Sequence, residues 1–215
     1  MANWCSTNIT FYSENKEQIT KLHSVLSELD AGESLLPNDF GNLWLGNILH
    51  RFGYKWQEIT CRGSITLLGS VYEDADGRFC FEIEEEDAWA PMTGVWDTVL
   101  SEEEYSDIEY VYIAEESGCN VYINSDTSGL FYDTRYVIDS NLEGKFLNDK
   151  TLEFAFCPMY FSTERGCLAY LKEISEALGN TQDFTTVNEA NDWFVDFLDD
   201  DVSWVSVNEF QPVWN

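Results

Sequence analysis

The chain has no lysine or arginine between Phe79 and Thr134, yet this stretch carries fifteen aspartates and glutamates. After Lys172 it again lacks basic residues and carries ten more acids, including the three consecutive aspartates at 199–201. Over 215 residues, 40 acidic side chains stand against 11 basic ones, a formal net charge of −29. Repulsion on this scale disfavours a compact state. A stable fold must therefore keep most of these charges in water and draw its stability from an apolar interior.

Aromatic residues supply that interior. The chain holds eight tryptophans, fourteen phenylalanines and eleven tyrosines. Disordered acidic segments are poor in such residues, so the composition predicts a globular protein despite the charge. The length allows one large domain or two small ones.

The sequence has neither a signal-peptide pattern at its start nor an apolar run long enough to span a membrane. Its six cysteines are scattered and form no Cys-x-x-Cys pair. We expect a cytoplasmic protein whose thiols are reduced and mostly buried. We expect it neither to bind a membrane nor to carry a cofactor.

Hydrophobic periodicity predicts an α+β fold with an antiparallel sheet. In the second strand of a predicted hairpin, Phe79, Phe81 and Ile83 occupy alternate positions around Glu82 and Glu84, which is typical of a sheet with one solvated face. The predicted helices are 14–29, 43–52, 96–100, 163–178 and 186–198. The predicted strands are 4–12, a hairpin over 59–87 that turns at 76–77, 108–114, 120–124, 130–138, 151–156 and 202–207.

Four short segments carry a resemblance to a known family. They are Asn-Trp-Cys at 3–5 followed by Asn8, Phe-Gly-Tyr-Lys-Trp at 52–56, Asp-Ala-Trp-Ala-Pro at 87–91, and the Tyr-to-Asn segment 112–120. In this order and rough spacing they resemble the YubB ferredoxin-like family of phage and plasmid proteins. The chain departs from that pattern at Tyr54, where the family tends to have Thr, and at Ala90, where it has Ser.

The resemblance covers residues 3 to about 125. It implies a ferredoxin-like split βαβ antiparallel sheet with helices on one face, carried by a mobile genetic element. It supplies no catalytic residue. We therefore predict a ferredoxin-like domain over 1–138 and a C-terminal α/β extension over 139–215 that packs on it.

Few residues suggest a reactive centre. His23 and His50 are the only histidines, and no spacing of histidines and cysteines is typical of a metal site. Cys5 lies in an aromatic strand, which favours a packed thiol over a nucleophile. The acidic loop 73–77 has the oxygen ligands for weak cation binding but reads more simply as a solvated hairpin tip. We assign no catalytic, cofactor-binding or metal residue.

Direct nucleic-acid binding is not expected. Only Arg51, Lys55 and Arg62 cluster, beside Trp56, and three bases cannot offset the surrounding negative field. We expect them to hold carboxylates on neighbouring strands.

The leading hypothesis is a non-enzymatic acidic interaction protein of a phage or plasmid. It would bind a basic host or phage protein, such as a nucleic-acid-binding defence enzyme, with DNA mimicry in counter-defence as one form of that role. One alternative is a small hydrolase that uses paired carboxylates or a cation, and another is a structural accessory protein. The residues predicted to form the partner-binding acidic surface are Glu82, Glu84, Glu85, Glu86, Asp87, Glu102, Glu103, Glu104, Glu115 and Glu116.

Overall fold

A computed structural model describes residues 3–33, 35–142, 158–198 and 203–213. The chain divides into two compact units, Met1–Asp126 and Thr127–Asn215. The predicted boundary after residue 138 falls inside a strand of the second unit, Tyr136–Asn141, because that strand pairs with the C-terminal strand.

The described residues of the first unit form five strands and three helices. The strands are β1 (Trp4–Ser13), β2 (Gly63–Glu73), β3 (Phe79–Ala88), β4 (Glu109–Glu116) and β5 (Val121–Asn124). The helices are α1 (Lys16–Asp30), α2 (Leu45–Arg51) and α3 (Thr93–Leu100). Short 3-10 turns occupy Trp56–Glu58, Glu103–Tyr105 and Ser117–Cys119.

The five strands form one antiparallel sheet in the order β2-β3-β1-β4-β5. The connection through α1 joins β1 to β2, with β3 lying between them. The connection through α3 joins β3 to β4, with β1 lying between them. The predicted α+β class with an antiparallel sheet is confirmed.

Both long connections place their helices on the same face of this sheet. Helix α1 begins at the Asn15 cap and turns an apolar face inward, in keeping with its helical spacing. Phe11 of β1 stacks on Phe81 of β3 at 4.9 Å and meets the edge of Trp96 of α3 at 4.9 Å. The ring of His23 on α1 also contacts Phe81. The core of the unit therefore lies between the central strands and these two helices.

The second unit pairs a small sheet with two helices. Strands β6 (Tyr136–Asn141), β7 (Met159–Phe161) and β8 (Trp204–Glu209) form an antiparallel sheet in the order β7-β6-β8. Helices α4 (Glu164–Ala177) and α5 (Val187–Leu198) share a buried cluster with it that includes Leu171 and Phe194. The strand predicted at 130–138 is observed further along the chain, as β6. The strand predicted at 151–156 lies outside the described residues.

Four cysteines are buried, as the sequence predicts: Cys5, Cys61, Cys80 and Cys167. Cys119 is exposed, and Cys157 lies outside the described residues. None of the helices in the described part of the chain has both the length and the apolar character needed to cross a bilayer.

Candidate functional site

Strand β3 sends its acidic side chains to opposite sides of the sheet. Successive side chains of a strand alternate between faces. Glu82 and its alternate neighbours Glu84 and Glu86 lie on the face away from the helices, whereas Glu85 and Asp87 lie on the helix side with Phe81 and Ile83. One strand thus supplies both a row of solvated acids and a pair of buried ones.

The solvated row is regular. Glu82, Glu84 and Glu86 are about 6.6 Å apart along the strand, twice the rise per residue. Glu84 and Glu86 are exposed and Glu82 is half-buried. The Tyr72 hydroxyl of the neighbouring strand donates a 2.6 Å hydrogen bond to Glu82 Oε1.

Glu115 of β4 joins this row across the sheet. Ser6 of β1 lies opposite Glu86 on one side and opposite Glu115 on the other, so all three share a face. We call Glu82, Glu84, Glu86 and Glu115 the acidic face. Among the described residues of the five strands, none that points to this side is a lysine or arginine.

Several basic residues of the first unit already have partners elsewhere. Lys21 on α1 pairs with Glu104, and Arg51 pairs with Glu28 of α1 at 3.0 Å. These exposed pairs contribute little to stability, but they localise the positive charge on the helical side.

Two further bases correct an expectation. Lys55 pairs at 3.0 Å with Glu58 in the adjacent turn, and the Arg62 guanidinium lies 4.6 Å from the centre of the Trp89 ring. The prediction that the middle basic cluster holds carboxylates on neighbouring strands is therefore wrong. The partners are an aromatic ring and acids in a helix or turn, because the cluster lies in connecting segments rather than in the sheet.

The turn after α3 holds three of the predicted surface acids. Glu102 accepts a hydrogen bond from the Tyr54 hydroxyl, Glu104 pairs with Lys21, and Glu103 is exposed. The structure places these three away from the acidic face.

Glu116 is also set apart, because its carboxylate caps the short turn that follows β4. It accepts hydrogen bonds from the Gly118 N–H at 3.0 Å and from the Cys119 N–H. A side-chain hydrogen bond from Cys119, together with these backbone bonds, holds the pKa of Glu116 below its usual range. Its side chain is 8% exposed, so the prediction that it lies on the surface is corrected.

The largest correction concerns Glu85 and Asp87, which are 1% and 0% exposed. Glu85 Oε2 accepts a 2.7 Å hydrogen bond from Trp96 Nε1 of α3. Asp87 Oδ2 accepts a 3.1 Å bond from the Met92 N–H at the start of that helix. The other two oxygens, Glu85 Oε1 and Asp87 Oδ1, have no donor among the described residues. We call Glu85 and Asp87 the buried pair.

Burial governs the protonation of this pair. Loss of water raises the pKa of Glu85, and loss of water together with the nearby Glu85 carboxyl raises the pKa of Asp87 to about 10. The thiol of Cys5, opposite Asp87 on β1, has its pKa raised to about 11, chiefly by burial. Burial therefore favours retention of a proton on the pair.

Glycine at position 63 makes room for the pair. Gly63 of β2 lies opposite Asp87, and a Cβ atom there would come within 2.0 Å of Asp87 Oδ1 and 2.7 Å of the Glu86 carbonyl oxygen. We expect Gly63→Ala to lower the free energy of unfolding by about 1–3 kcal/mol, measured by urea denaturation, because the backbone oxygen cannot move aside cheaply.

Gly94→Ala is the matched control for that substitution. A Cβ at Gly94 meets no atom within 4 Å, and alanine is favoured over glycine within a helix. This variant should be more stable than the wild type by about 0.5–1 kcal/mol. Equal effects of the two alanines would contradict the packing described for Gly63.

The described residues give no support to a cation site in the acidic hairpin loop or to a metal site. In the acidic hairpin loop, Asp74 binds Arg78 Nε at 2.8 Å and Asp76 binds Arg78 Nη2 at 2.7 Å, so one arginine already pairs with both aspartates. Within the described ranges, no group of three histidine, cysteine or acidic side chains is placed to hold a metal ion. One cavity is lined in part by Tyr12 and Asp107 and another by Val25 and Phe52, and the buried pair lines neither.

Comparisons of the chain with protein-family models, with curated proteins and with solved structures gave no match.

Proposed function

We propose that the protein is a non-enzymatic interaction protein that binds a positively charged protein through the acidic face. The observation that carries the proposal is the alignment of Glu82, Glu84 and Glu86 on one side of β3, joined by Glu115. Four carboxylates on one side of the sheet, whose described strands contain no lysine or arginine, present a concentrated negative field. Such a field accelerates association with a basic partner and orients it.

The spacing supports mimicry of a nucleic acid as the form of this interaction. Each strand of a DNA duplex carries a phosphate about every 3.4 Å along the axis. Carboxylates about 6.6 Å apart on β3, with Glu115 offset by two strand spacings of about 4.8 Å, match alternate phosphates in an extended array. A basic nucleic-acid-binding protein is therefore the partner that the surface fits best.

The topology supports the family assignment on which the biological setting rests. We assign the first unit to the ferredoxin-like folds, because strands β1 to β4 lie in the order β2-β3-β1-β4 with both helical connections on one face. With the four YubB-like segments, this favours a protein of a phage or plasmid and makes a bacterial defence enzyme a reasonable target.

The buried pair is the one observation that favours the alternative, a carboxylate hydrolase. Pairs of acids with raised pKa values often act as the general acid and base of an enzyme. However, Glu85 and Asp87 lie under Trp96 with at most 1% of their surface exposed, so a substrate has no route to them in this conformation. Their contacts support a role inside the fold.

The proposal is tested with a neutralised face and a charge-matched control. The face variant is E82Q/E84Q/E86Q/E115Q. The control, E14Q/E17Q/E33Q/E173Q, removes the same charge from exposed acids outside the sheet. Each protein is immobilised, exposed to bacterial lysate at low and high salt, and eluted with duplex DNA. The eluted proteins are identified by mass spectrometry.

We expect the wild type and the control to retain a basic nucleic-acid-handling protein at low salt, and duplex DNA to displace it. The face variant should lose at least tenfold in its capture, since several close charge pairs are removed together. Equal loss in the control would show a non-specific effect of net charge. Capture of no basic protein at low salt would overturn the proposal.

A further inference from the structure

We propose that Glu85 and Asp87 share one proton in the folded protein, and that this proton makes the first unit a pH-sensitive element whose folded state weakens as the proton is lost. The inference concerns the interior of the sheet and is independent of what the acidic face binds.

The hydrogen bonds of the buried pair support a shared proton. Each carboxyl has one oxygen bound to a donor of the α3 region, namely Trp96 Nε1 or the Met92 N–H. Each has a second oxygen, Glu85 Oε1 or Asp87 Oδ1, that is buried and lacks a donor. A buried acceptor without a donor is costly. A proton on one carboxyl lets its O–H donate to the other, which satisfies both oxygens and removes one of two buried charges.

The strands that flank β3 provide no compensating cation. On β1, Cys5 lies opposite Asp87 and Thr7 lies opposite Glu85, and both are neutral and buried. On β2, Gly63 and Ile65 occupy the corresponding positions. Within the described strands, the pair thus has neutral neighbours on both sides.

The remaining elements around the pair add negative or neutral groups. Tyr110 and Tyr112 of β4 lie on the same face, and burial raises the pKa of both phenols. The Tyr110 hydroxyl donates a 2.7 Å hydrogen bond to Asp97 of α3. Glu116, at the end of β4, acts on the nearby Cys5 thiol as a further negative charge. A second charge in the pair would therefore meet repulsion, and a proton is the available counter-charge.

The direction of the pH effect follows from the two states. In the unfolded chain both carboxyls ionise near their ordinary values, so at neutral pH they hold no proton. In the proposed arrangement the folded pair holds one, placed between the two oxygens that lack a donor, and burial, which raises the pKa of both groups, favours its retention. Its stabilising contribution is complete below the ordinary carboxyl range and is lost as the pH rises toward the folded value. For one retained proton, the folding equilibrium constant falls about tenfold per pH unit.

The experiment compares three full-length proteins by urea denaturation from pH 6 to pH 9. Glu85→Gln keeps the shape of the side chain and supplies an N–H donor in place of the shared proton. Glu84→Gln makes the same charge change on the exposed side of the same strand. Asp87→Asn repeats the test from the other carboxyl if Glu85→Gln fails to fold.

We expect the folding constant of the wild type and of Glu84→Gln to fall about tenfold more per pH unit than that of Glu85→Gln. Identical slopes in the wild type and Glu85→Gln would overturn the proposal. Infrared spectroscopy detects the protonated carboxyl group directly in the wild type. It therefore does not depend on whether either single variant folds. At pH 8 the wild type should show the carbonyl band of a protonated carboxylic acid, and E85Q/D87N should lack it. A wild type without this band would also overturn the proposal.

Discussion

Trp96→Ala should lower the free energy of unfolding of the first unit by about 3–5 kcal/mol, the cost of removing a large aromatic side chain from a packed core. The indole is fully buried and meets Phe11 edge-on at 4.9 Å. It also donates the 2.7 Å hydrogen bond to Glu85 Oε2. Alanine therefore leaves a cavity and takes the donor from a buried carboxyl in one step. Urea denaturation followed by far-UV circular dichroism measures the loss.

Two further variants separate the contributions of Trp96. Trp96→Phe keeps most of the packing but removes the N–H, so it should cost about 1–3 kcal/mol, the penalty for a buried acceptor without its donor. Trp4→Ala removes an indole that is 60% exposed on the same sheet and should change stability by less than about 1 kcal/mol. If Trp96→Ala were no more costly than Trp4→Ala, the packing of α3 on the sheet would be contradicted.

Strand β3 shows both the reach and the limit of sequence patterns. The alternation of Phe79, Phe81 and Ile83 correctly predicts which face packs on the core. The same period of two, continued, places Glu85 and Asp87 on the core face as well. Both acids were instead predicted to lie on the acidic surface, the usual place for acidic residues. Applying the alternation to Glu85 and Asp87 as well would have identified them as buried residues.

Local signals account for most of the elements. The Asp76-Gly77 turn forms with Gly77 at φ 84°, and the helices predicted at 14–29 and 163–178 appear as α1 and α4. Their ends differ by one or two residues because caps and fraying set helix boundaries. Helix α3 starts earlier than predicted, since Asp87 holds the Met92 N–H in place at its first turn. That contact joins residues of two elements across a bend, and no local pattern encodes it.

The acidic face was only partly predictable for the same reason. That Glu82, Glu84 and Glu86 share a face follows from the strand period alone. That Glu115 joins them depends on the register of β4 against β1, which the sequence of either strand does not fix. Glu104 was grouped with them by composition, yet it pairs with Lys21, a base distant in the chain. Charge density in a sequence therefore predicts that a negative surface exists but not its outline.

Phe194→Ala should destabilise the second unit by about 3–5 kcal/mol. Phe194 of α5 is fully buried and contacts the ring of Phe184 at 5.7 Å and that of Trp193 at 4.8 Å. Its cluster also includes Leu171 of α4 and Val205 of β8, so one truncation loosens both helices and the sheet. The slowest-exchanging amides of α4 and β6 should exchange faster by a factor on the order of 10²–10⁴, since each 1.4 kcal/mol is tenfold.

Val195→Ala, one residue further along the same helix, is the control. Val195 is 71% exposed, so the substitution removes little buried surface and should change stability by less than about 0.5 kcal/mol. The difference between the two variants then reports the core of the second unit and not the helix propensity of alanine. Unchanged exchange in α4 and β6 of the Phe194 variant would mean that α5 does not share a core with them, contrary to the packing described for the second unit.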